Sequence, residues 1–237
     1  MILVTGDIHG DTGRFSDKRV KKLRKGDTLL ICGDLGLIWD GSDREKRVLK
    51  RLGKRKYDIL FVEGAHENFD ELEKYPTEQW NGGTVRIISG NLRQLLRGNV
   101  FTLGGKRVFA FGGGSGEENG GKAPCGEAAA ARYELASEAE LSESDRNLAD
   151  CGNTVDYVVT YEPPVTIAEF LDRKVSAADT VGVYLDRKRA EIKFTQWFFG
   201  KYHLNKPVPP KFTAVFDNVI DAETLKGTSK NRFESRK

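Results

Sequence analysis

The chain has 237 residues, of which 38% are hydrophobic, so it can bury a substantial core and we expect one large domain. Its formal net charge of +3 is too small to indicate nucleic-acid binding by itself. No stretch approaches the length of about 18 uncharged apolar residues that a membrane span needs, and the N-terminus lacks the basic and long apolar regions of a secretory signal. We therefore expect a cytoplasmic protein that does not bind membranes.

The cysteines support the same expectation. Cys32, Cys125 and Cys151 are odd in number and show no C-x-x-C spacing. This pattern indicates neither a disulfide framework nor a cysteine zinc site. It is typical of a protein in a reducing compartment.

Short β-branched and aromatic runs that end in glycine predict most of the strands. They lie at residues 2–6, 28–33, 58–64, 84–90, 155–161, 194–200 and 212–220. Between the first three runs, charged segments at 14–26 and 44–55 have helical spacing, with Val48, Leu49 and Leu52 as an apolar stripe. The order β-α-β-α-β predicts a parallel sheet whose site lies in the loops after the strands.

Residues 100–114 predict a different connection. The run VFTLGGKRVFAFGGG reads as two antiparallel strands joined by a turn at Gly104-Gly105. Parallel strands early and antiparallel strands later require a mixed architecture. We expect two mixed sheets with helices outside them, an α/β class of fold.

The segment 115–154 differs in composition, being rich in Gly and Ala and then strongly acidic. Residues 127–150 predict an amphipathic helix anchored by Tyr133, Leu135, Leu141 and Leu148. Because strands resume at Val155, we interpret the segment as an insertion near the mouth of the site, within a single domain of residues 1–225.

The C-terminal residues 226–237 form a basic tail. They contain five Lys or Arg residues against the single acidic residue Glu234. We expect a solvated, disordered tail. The alternative is a tail that contacts the phosphates of a nucleic acid, which is the sequence's weak argument for such a partner.

Four short motifs place polar side chains directly after predicted strands. They are Gly6-Asp7-Ile8-His9-Gly10, Gly33-Asp34-Leu35-Gly36, Gly64-Ala65-His66-Glu67 and Gly200-Lys201-Tyr202-His203. The D-x-H spacing puts Asp7 and His9 on one side of an extended segment, as two ligands of one metal ion require. Each motif alone is weak, but four in order at strand ends predict a functional site.

This set of motifs resembles the calcineurin-like metallophosphoesterase family, in particular its small bacterial single-domain members. The family pattern is D-x-H, G-D-x-x-[DG], G-N-H-[DE], a lone His at a strand end and G-H-x-H, and the resemblance spans residues 5–203. It implies a four-layer α/β/β/α sandwich with two divalent metal ions between the sheets. It also implies a phosphoester substrate, whose identity the sequence leaves open.

Transferred residue by residue, the resemblance implies a complete first metal site of Asp7, His9, Asp34 and His203. Two carboxylates and two imidazoles suit Mn²⁺, Fe²⁺ or Zn²⁺. The resemblance also implies that His66 is catalytic, either protonating the leaving group or stabilising the transferring phosphoryl group. A role of His66 in packing or hydrogen bonding is the equal alternative.

The second metal site is degenerate in this sequence. The family's Asn falls on Ala65, the lone His on Tyr161, and the first His of the last motif on Lys201. All these substitutions affect ligands of one metal ion and leave that ion only Asp34, which bridges both ions in the family. We therefore expect one bound divalent ion and an empty second site.

Two interpretations of function follow. Two-metal hydrolysis needs both ions to activate water and compensate charge, so losing one predicts weak or absent hydrolysis and a pseudoenzyme that binds phosphate or nucleic acid. The alternative is an active single-metal phosphoesterase in which Lys201 and Tyr161 bind the substrate phosphate in place of the second ion. That alternative predicts the Lys201 ammonium beside Asp34, although a surface lysine and a space-filling aromatic are also possible.

Overall fold

The computed structural model describes residues 1–114, 133–175 and 179–227. Within these ranges the chain forms two mixed β-sheets with helices on their outer faces. The strands, numbered in chain order, are β1 Ile2–Gly6, β2 Thr28–Cys32, β3 Asp58–Val62, β4 Thr77–Trp80, β5 Gly83–Ser89, β6 Leu92–Leu95, β7 Asn99–Leu103, β8 Lys106–Phe111, β9 Tyr157–Thr160, β10 Gln196–Phe199, β11 Lys206–Val208, β12 Phe212–Ala214 and β13 Ile220–Asp221.

The first sheet has seven strands in the order β13-β1-β2-β3-β6-β5-β4. Strands β1, β2, β3 and β6 are mutually parallel, and their carboxyl ends therefore meet at one edge. The predicted parallel sheet at the start of the chain is confirmed. Strands β1, β2 and β3 are buried along almost their whole length, as expected for parallel strands covered on both faces.

The second sheet has six strands in the order β11-β12-β10-β9-β8-β7. Strands β8, β9, β10 and β12 are parallel, whereas β7 and β8 form an antiparallel hairpin. The hairpin predicted around Gly104-Gly105 is confirmed. Both glycines have positive φ, 55° and 80°, a conformation that a tight hairpin turn requires at both central positions.

The helices are α1 Asp43–Gly53, α2 Phe69–Leu72, α3 Glu138–Asp150, α4 Val165–Phe170 and α5 Thr180–Glu191. Helix α1 confirms the helix predicted at 44–55. It begins where Ser42 accepts a hydrogen bond from the backbone of Glu45, and it buries Leu49 and Leu52. No helix in the described ranges is long and apolar enough to span a membrane.

Three apolar clusters show how the layers stack. The central cluster joins the two sheets, with Val4 and Leu60 from the first facing Val108 and Phe198 from the second. A second cluster lies under α1 on the outer face of the seven-stranded sheet, and a third lies under α4 and α5 on the outer face of the six-stranded sheet. The α/β class with two mixed sheets and flanking helices is thus confirmed.

The helix predicted at 14–26 is wrong. The chain there forms two short 3₁₀ turns, Thr12–Ser16 and Val20–Lys22. The side chain of Asp17 accepts a hydrogen bond from the backbone of Arg19 at 2.7 Å. Such a local bond captures a backbone donor that a continuous helix would use, so the helix is interrupted there.

The helix predicted at 127–150 is confirmed over Glu138–Asp150, and non-helical residues 135–137 separate this helix from the helical residues 133–134. Residues 115–132 lie outside the described ranges, and helix α3 begins at Glu138. Ser137 caps it in a capping box with Glu140, which fixes the start. Leu148 is buried, but Leu135 is 45% exposed and is not an anchor.

The strand predicted at 212–220 is two strands in different sheets. Strand β12 belongs to the six-stranded sheet and β13 to the seven-stranded sheet. Between them, the Asn205 side chain accepts hydrogen bonds from the backbones of Phe216 and Asn218, which holds the crossing segment. The basic tail lies beyond the described residues from position 228 onward.

Candidate metal centre

The four motifs come together where the carboxyl ends of β1, β2 and β3 meet those of β9 and β10. Asp7 and His9 follow β1, Asp34 follows β2, His66 follows β3 and His203 follows β10. Contacts between the loops of the two sheets define the site, such as the hydrogen bond from the Tyr161 hydroxyl to Asp34. The site therefore lies at the junction of the sheets, a usual position for α/β proteins.

Two overlapping groups of metal-binding side chains surround His9. Asp7, His9 and His203 each offer a ligand atom within 4.8 Å of the others, and His9, Asp34 and His66 do the same. The Nε2 atoms of His9 and His203 face each other at 2.9 Å. All four residues predicted for the first metal site thus converge, and His66 stands beside them.

Asp34 is the centre of the hydrogen-bond network. Its Oδ1 accepts a hydrogen bond from the backbone N–H of His66 at 2.7 Å, and its Oδ2 accepts one from Nδ1 of His66 at 2.8 Å. Oδ2 also accepts the hydroxyl of Tyr161 at 3.2 Å and lies 3.8 Å from Nε2 of His9. Asp34 therefore orients the His66 ring and borders the first metal site at the same time.

Asp7 carries the observation that best fits a cation. Its side chain is buried, and its Oδ1 accepts the backbone N–H of Lys201 at 3.3 Å. Its Oδ2 is buried and accepts no hydrogen bond from the described residues. A buried carboxylate oxygen without a partner is unfavourable, and a metal ion would supply the missing partner. The first site therefore fits a divalent ion.

The pKa shifts agree with this interpretation. Burial, and next the charge of Asp34, raise the pKa of Asp7 well above its usual range. Burial also lowers the pKa values of His9 and His203. Both imidazoles consequently stay neutral near pH 7, which is the form that binds metal ions.

Several of these residues have left-handed backbone conformations. The φ angles of His9, Asp34, Lys201 and His203 are 46°, 44°, 68° and 51°. Each such conformation costs a residue other than glycine roughly 1–2 kcal/mol. Conformations of this kind persist only where the surrounding structure holds them, and they concentrate at functional sites.

The glycine of the third motif leaves room for the Asp34 carboxylate. A Cβ atom on Gly64 would lie 2.1 Å from Oδ1 of Asp34. On the other side, a Cβ on Gly33 would lie 2.1 Å from the Tyr161 ring, and Gly33 has a φ of 98°. These glycines let Asp34 sit between the loops of both sheets.

Lys201 does not have the partner that the sequence argument gave it. The predicted place of its ammonium is beside Asp34, but in the structure Nζ donates to both carboxylate oxygens of Glu162, at 2.8 and 2.6 Å. Lys201 is 5% exposed and Glu162 is 1% exposed, so this is a buried ion pair. Tyr161 instead makes the contact with Asp34.

The positions that would hold a second ion offer a poor set of donors. Ala65 presents a methyl group, Lys201 a cation, and Tyr161 a hydroxyl that already donates to Asp34. Burial, and next the charge of Asp34, raise the pKa of Tyr161 well above its usual range, so the hydroxyl is a neutral donor to Asp34 in the metal-free protein. These residues do not fit a second metal ion.

Two buried carboxylates that contact the site loops are not among the predicted site residues. Glu162 pairs with Lys201, and Glu67 accepts the backbone N–H groups of Leu35 and Gly36 at 2.7 and 3.3 Å, which holds the loop after β2. The position of Glu67 within the third motif was a possible signal. For Glu162 the signal was only that a lysine in a cleft needs a counter-charge, which names no partner.

Comparison with protein families agrees with the motifs. The sequence matches the family model described as calcineurin-like phosphoesterase over residues 1–177. The match covers the first three motifs and ends before Lys201 and His203. No curated protein matches the chain significantly.

Proposed function

Since the chain belongs to the calcineurin-like phosphoesterase family, we propose that it holds one divalent ion and hydrolyses phosphoesters weakly or not at all. The ion's ligands are Asp7, His9, Asp34 and His203. The orphaned Oδ2 atom of Asp7 and the two facing imidazoles support this set. The ligand types favour Mn²⁺, Fe²⁺ or Zn²⁺.

One structural observation supports the proposed low activity. The Tyr161 hydroxyl and the Lys201 ammonium stand where the family pattern has imidazoles, and each is already bonded to a buried carboxylate. A second ion would have to displace both and would find a methyl group at Ala65. These contacts support the proposal that the chain's own side chains occupy the second metal position.

A divalent ion at the first site would place positive charge against a phosphoryl oxygen and make water more acidic. The chain itself contributes His66, whose ring Asp34 orients through the 2.8 Å bond to Nδ1. A ring held in this way can give a proton to a leaving oxygen or stabilise its charge. Without a second ion, the site has less positive charge to compensate the transition state, and hydrolysis is slow.

The alternative is an active single-metal phosphoesterase. The Tyr161 hydroxyl favours it, because this donor borders Asp34 and could turn to a bound phosphate. Lys201 contributes to this alternative only if a phosphate displaces Glu162 from its ammonium. A third candidate is a pseudoenzyme that binds a phosphate-containing molecule or a nucleic acid without turnover.

Metal counting tests the single-ion site. Purified protein should contain about one equivalent of Mn, Fe or Zn per chain by elemental analysis after dialysis. The matched variant Asp7→Ala should retain far less metal, since Asp7 supplies a ligand. Two firmly held equivalents in the wild-type protein would contradict the proposal.

Turnover separates the three candidates. We expect very little hydrolysis of a generic aryl phosphodiester by the metal-loaded protein. Rapid turnover that Asp7→Ala abolishes would establish the single-metal enzyme instead. Saturable phosphate or nucleic-acid binding without turnover would favour the pseudoenzyme.

A further inference from the structure

Glu162 connects the loop after β9 to the loop after β10, which carries the last motif. It follows strand β9 by two residues, and Lys201 follows the neighbouring parallel strand β10 by two residues. Strand register sets Thr160 opposite Phe199, so the loops leave the sheet side by side. The Glu162–Lys201 pair joins these loops through two short hydrogen bonds in a buried environment.

Lys201 in turn contacts the candidate metal site through its backbone. Its N–H donates to Oδ1 of Asp7, and its φ angle of 68° belongs to the turn that presents His203 two residues later. The neighbouring Tyr202 directs its hydroxyl to Glu162 at 3.5 Å. The Glu162 carboxylate thus anchors the turn that carries one metal ligand and orients another.

The backbone of the loop after β8 also packs against the Glu162 carboxylate. A Cβ atom on Gly114 would lie 2.3 Å from Oε2 of Glu162, so the carboxylate packs directly against that backbone. Asp179 adds negative charge nearby, and the Lys201 ammonium is the counter-charge that faces the carboxylate. The carboxylate consequently has one well-defined position, which is the property a positioning group needs.

We propose that Glu162 is a positioning residue for the metal site. By holding the Lys201 ammonium, it fixes the left-handed turn at 200–203, so that His203 and the Asp7 carboxylate are set in ligand geometry. The buried Glu162–Lys201 pair joins the loops after β9 and β10. Lys201 occupies the position at which the family pattern has a ligand of the second ion. The inference rests on the proposed single-ion function and adds a residue that neither the family match nor the motif assigns.

The test removes both charges while keeping side-chain size. In Glu162→Gln with Lys201→Met both partners of the ion pair are neutralised together, so neither is left as an unpaired buried charge, and Asp179 keeps its hydrogen bond from the backbone of Gly182. We expect the affinity of this double variant for Mn²⁺, measured by chelator competition, to fall at least about tenfold, as happens when groups that orient metal ligands are lost. The visible spectrum of the Co²⁺-loaded protein should also change, because it reports ligand geometry.

Lys188→Met is the matched control. Lys188 lies on helix α5, away from the four motifs. It is also 5% exposed, and its ammonium pairs with Asp145 at 2.8 Å. This variant should lose stability but keep wild-type Mn²⁺ affinity and the Co²⁺ spectrum. A double variant at Glu162 and Lys201 that binds Mn²⁺ as the wild type does, with the same spectrum, would overturn the proposal.

Two further outcomes are separable. If the double variant does not fold, Glu162→Asp decides, because it keeps the charge but withdraws the carboxylate from Lys201; several-fold weaker Mn²⁺ binding supports the proposal and unchanged binding refutes it. If the wild-type protein binds no ion at all, the proposed single-ion function fails. That outcome is distinct from equal binding by wild type and variant, which refutes the role of Glu162 alone.

Discussion

The hydroxyl of Tyr161 donates a hydrogen bond to Oδ2 of Asp34 at 3.2 Å, across the junction between the two sheets. Asp34 is the carboxylate that the family pattern assigns to both metal ions. In this chain the neutral Tyr161 hydroxyl donates to Oδ2 of Asp34. The ring of His66, in the loop after β3, contacts the same oxygen through Nδ1. The Tyr161–Asp34 contact joins the loops after β2 and β9.

Removing this hydroxyl should destabilise the protein. We expect Tyr161→Phe to lower the free energy of unfolding by about 1.5–3 kcal/mol, the usual range for a buried hydrogen bond to a charged group. Chemical denaturation of the metal-free protein measures the loss.

Tyr57→Phe is the matched control for that measurement. Tyr57 is also buried, but its hydroxyl makes no hydrogen bond with the described residues. Its removal should change stability by less than about 0.5 kcal/mol, or stabilise slightly. Equal losses in the two variants would show that the contact with Asp34 contributes nothing.

Metal binding should release a proton from Asp7. Its pKa is raised by burial and by Asp34, so the metal-free folded protein holds this proton to a higher pH than the unfolded chain does. A raised folded-state pKa stabilises the fold at low pH, and this stability is lost as the pH rises through that pKa. Calorimetric titration with Mn²⁺ in buffers of different ionisation enthalpy measures the released proton.

The variant Asp7→Asn gives the control without metal. Because it lacks the titrating group, its stability should fall less than that of the wild type as the pH rises from acidic values towards neutral. Glu67, whose pKa is also raised by burial, is present in both proteins and cancels in the comparison. Parallel pH profiles, together with no proton release, would contradict the prediction.

Restoring the second site should restore hydrolysis. The variant Ala65→Asn, Tyr161→His and Lys201→His recovers the family ligands, and a fourth change, Glu162→Gln, removes the carboxylate that Lys201 would leave unpaired. The quadruple variant also loses the Glu162–Lys201 pair, so a second ion has to hold the turn at 200–203 in its place. At saturating metal concentration we expect this variant to bind two ions and to hydrolyse an aryl phosphodiester at least about a hundredfold faster than the wild type. Elemental analysis and initial rates measure the two effects.

A triple variant carries Ala65→Asn, Tyr161→His and Lys201→His but keeps Glu162. Comparing it with the quadruple variant isolates the effect of Glu162→Gln. The triple variant keeps a buried carboxylate without its ammonium and should be less stable than the quadruple variant. A second bound ion without any gain in rate would mean that other parts of the site have diverged. The segment 115–154 is then the first region to exchange.

The two sheets and the group of candidate metal ligands are predictable from the sequence. Strand runs such as 28–33 are apolar, either continuously or at alternate positions, because the strands are buried. This pattern involves only residues that are neighbours in the sequence. D-x-H spacing likewise predicts that Asp7 and His9 lie together. In the structure the segment turns at His9, with a φ of 46°, and the backbone N–H groups of Ile8 and His9 donate to the carbonyl of Asp34, so tertiary contacts help to hold the pair. The helix at 14–26 was mispredicted because a side chain, Asp17, took a backbone donor, and such competition is weakly encoded in hydrophobic spacing.

The contacts of Tyr161 and Lys201 depend on the folded chain and are not predictable from the sequence. Glu162 and Lys201 are 39 positions apart, and nothing near either residue specifies the other. Parallel pairing of β9 with β10 brings their loops together, and burial then makes an unpaired ammonium so unfavourable that the nearest carboxylate must take it. The partner of a buried charge is thus fixed by which strands are neighbours, a property of the assembled sheet.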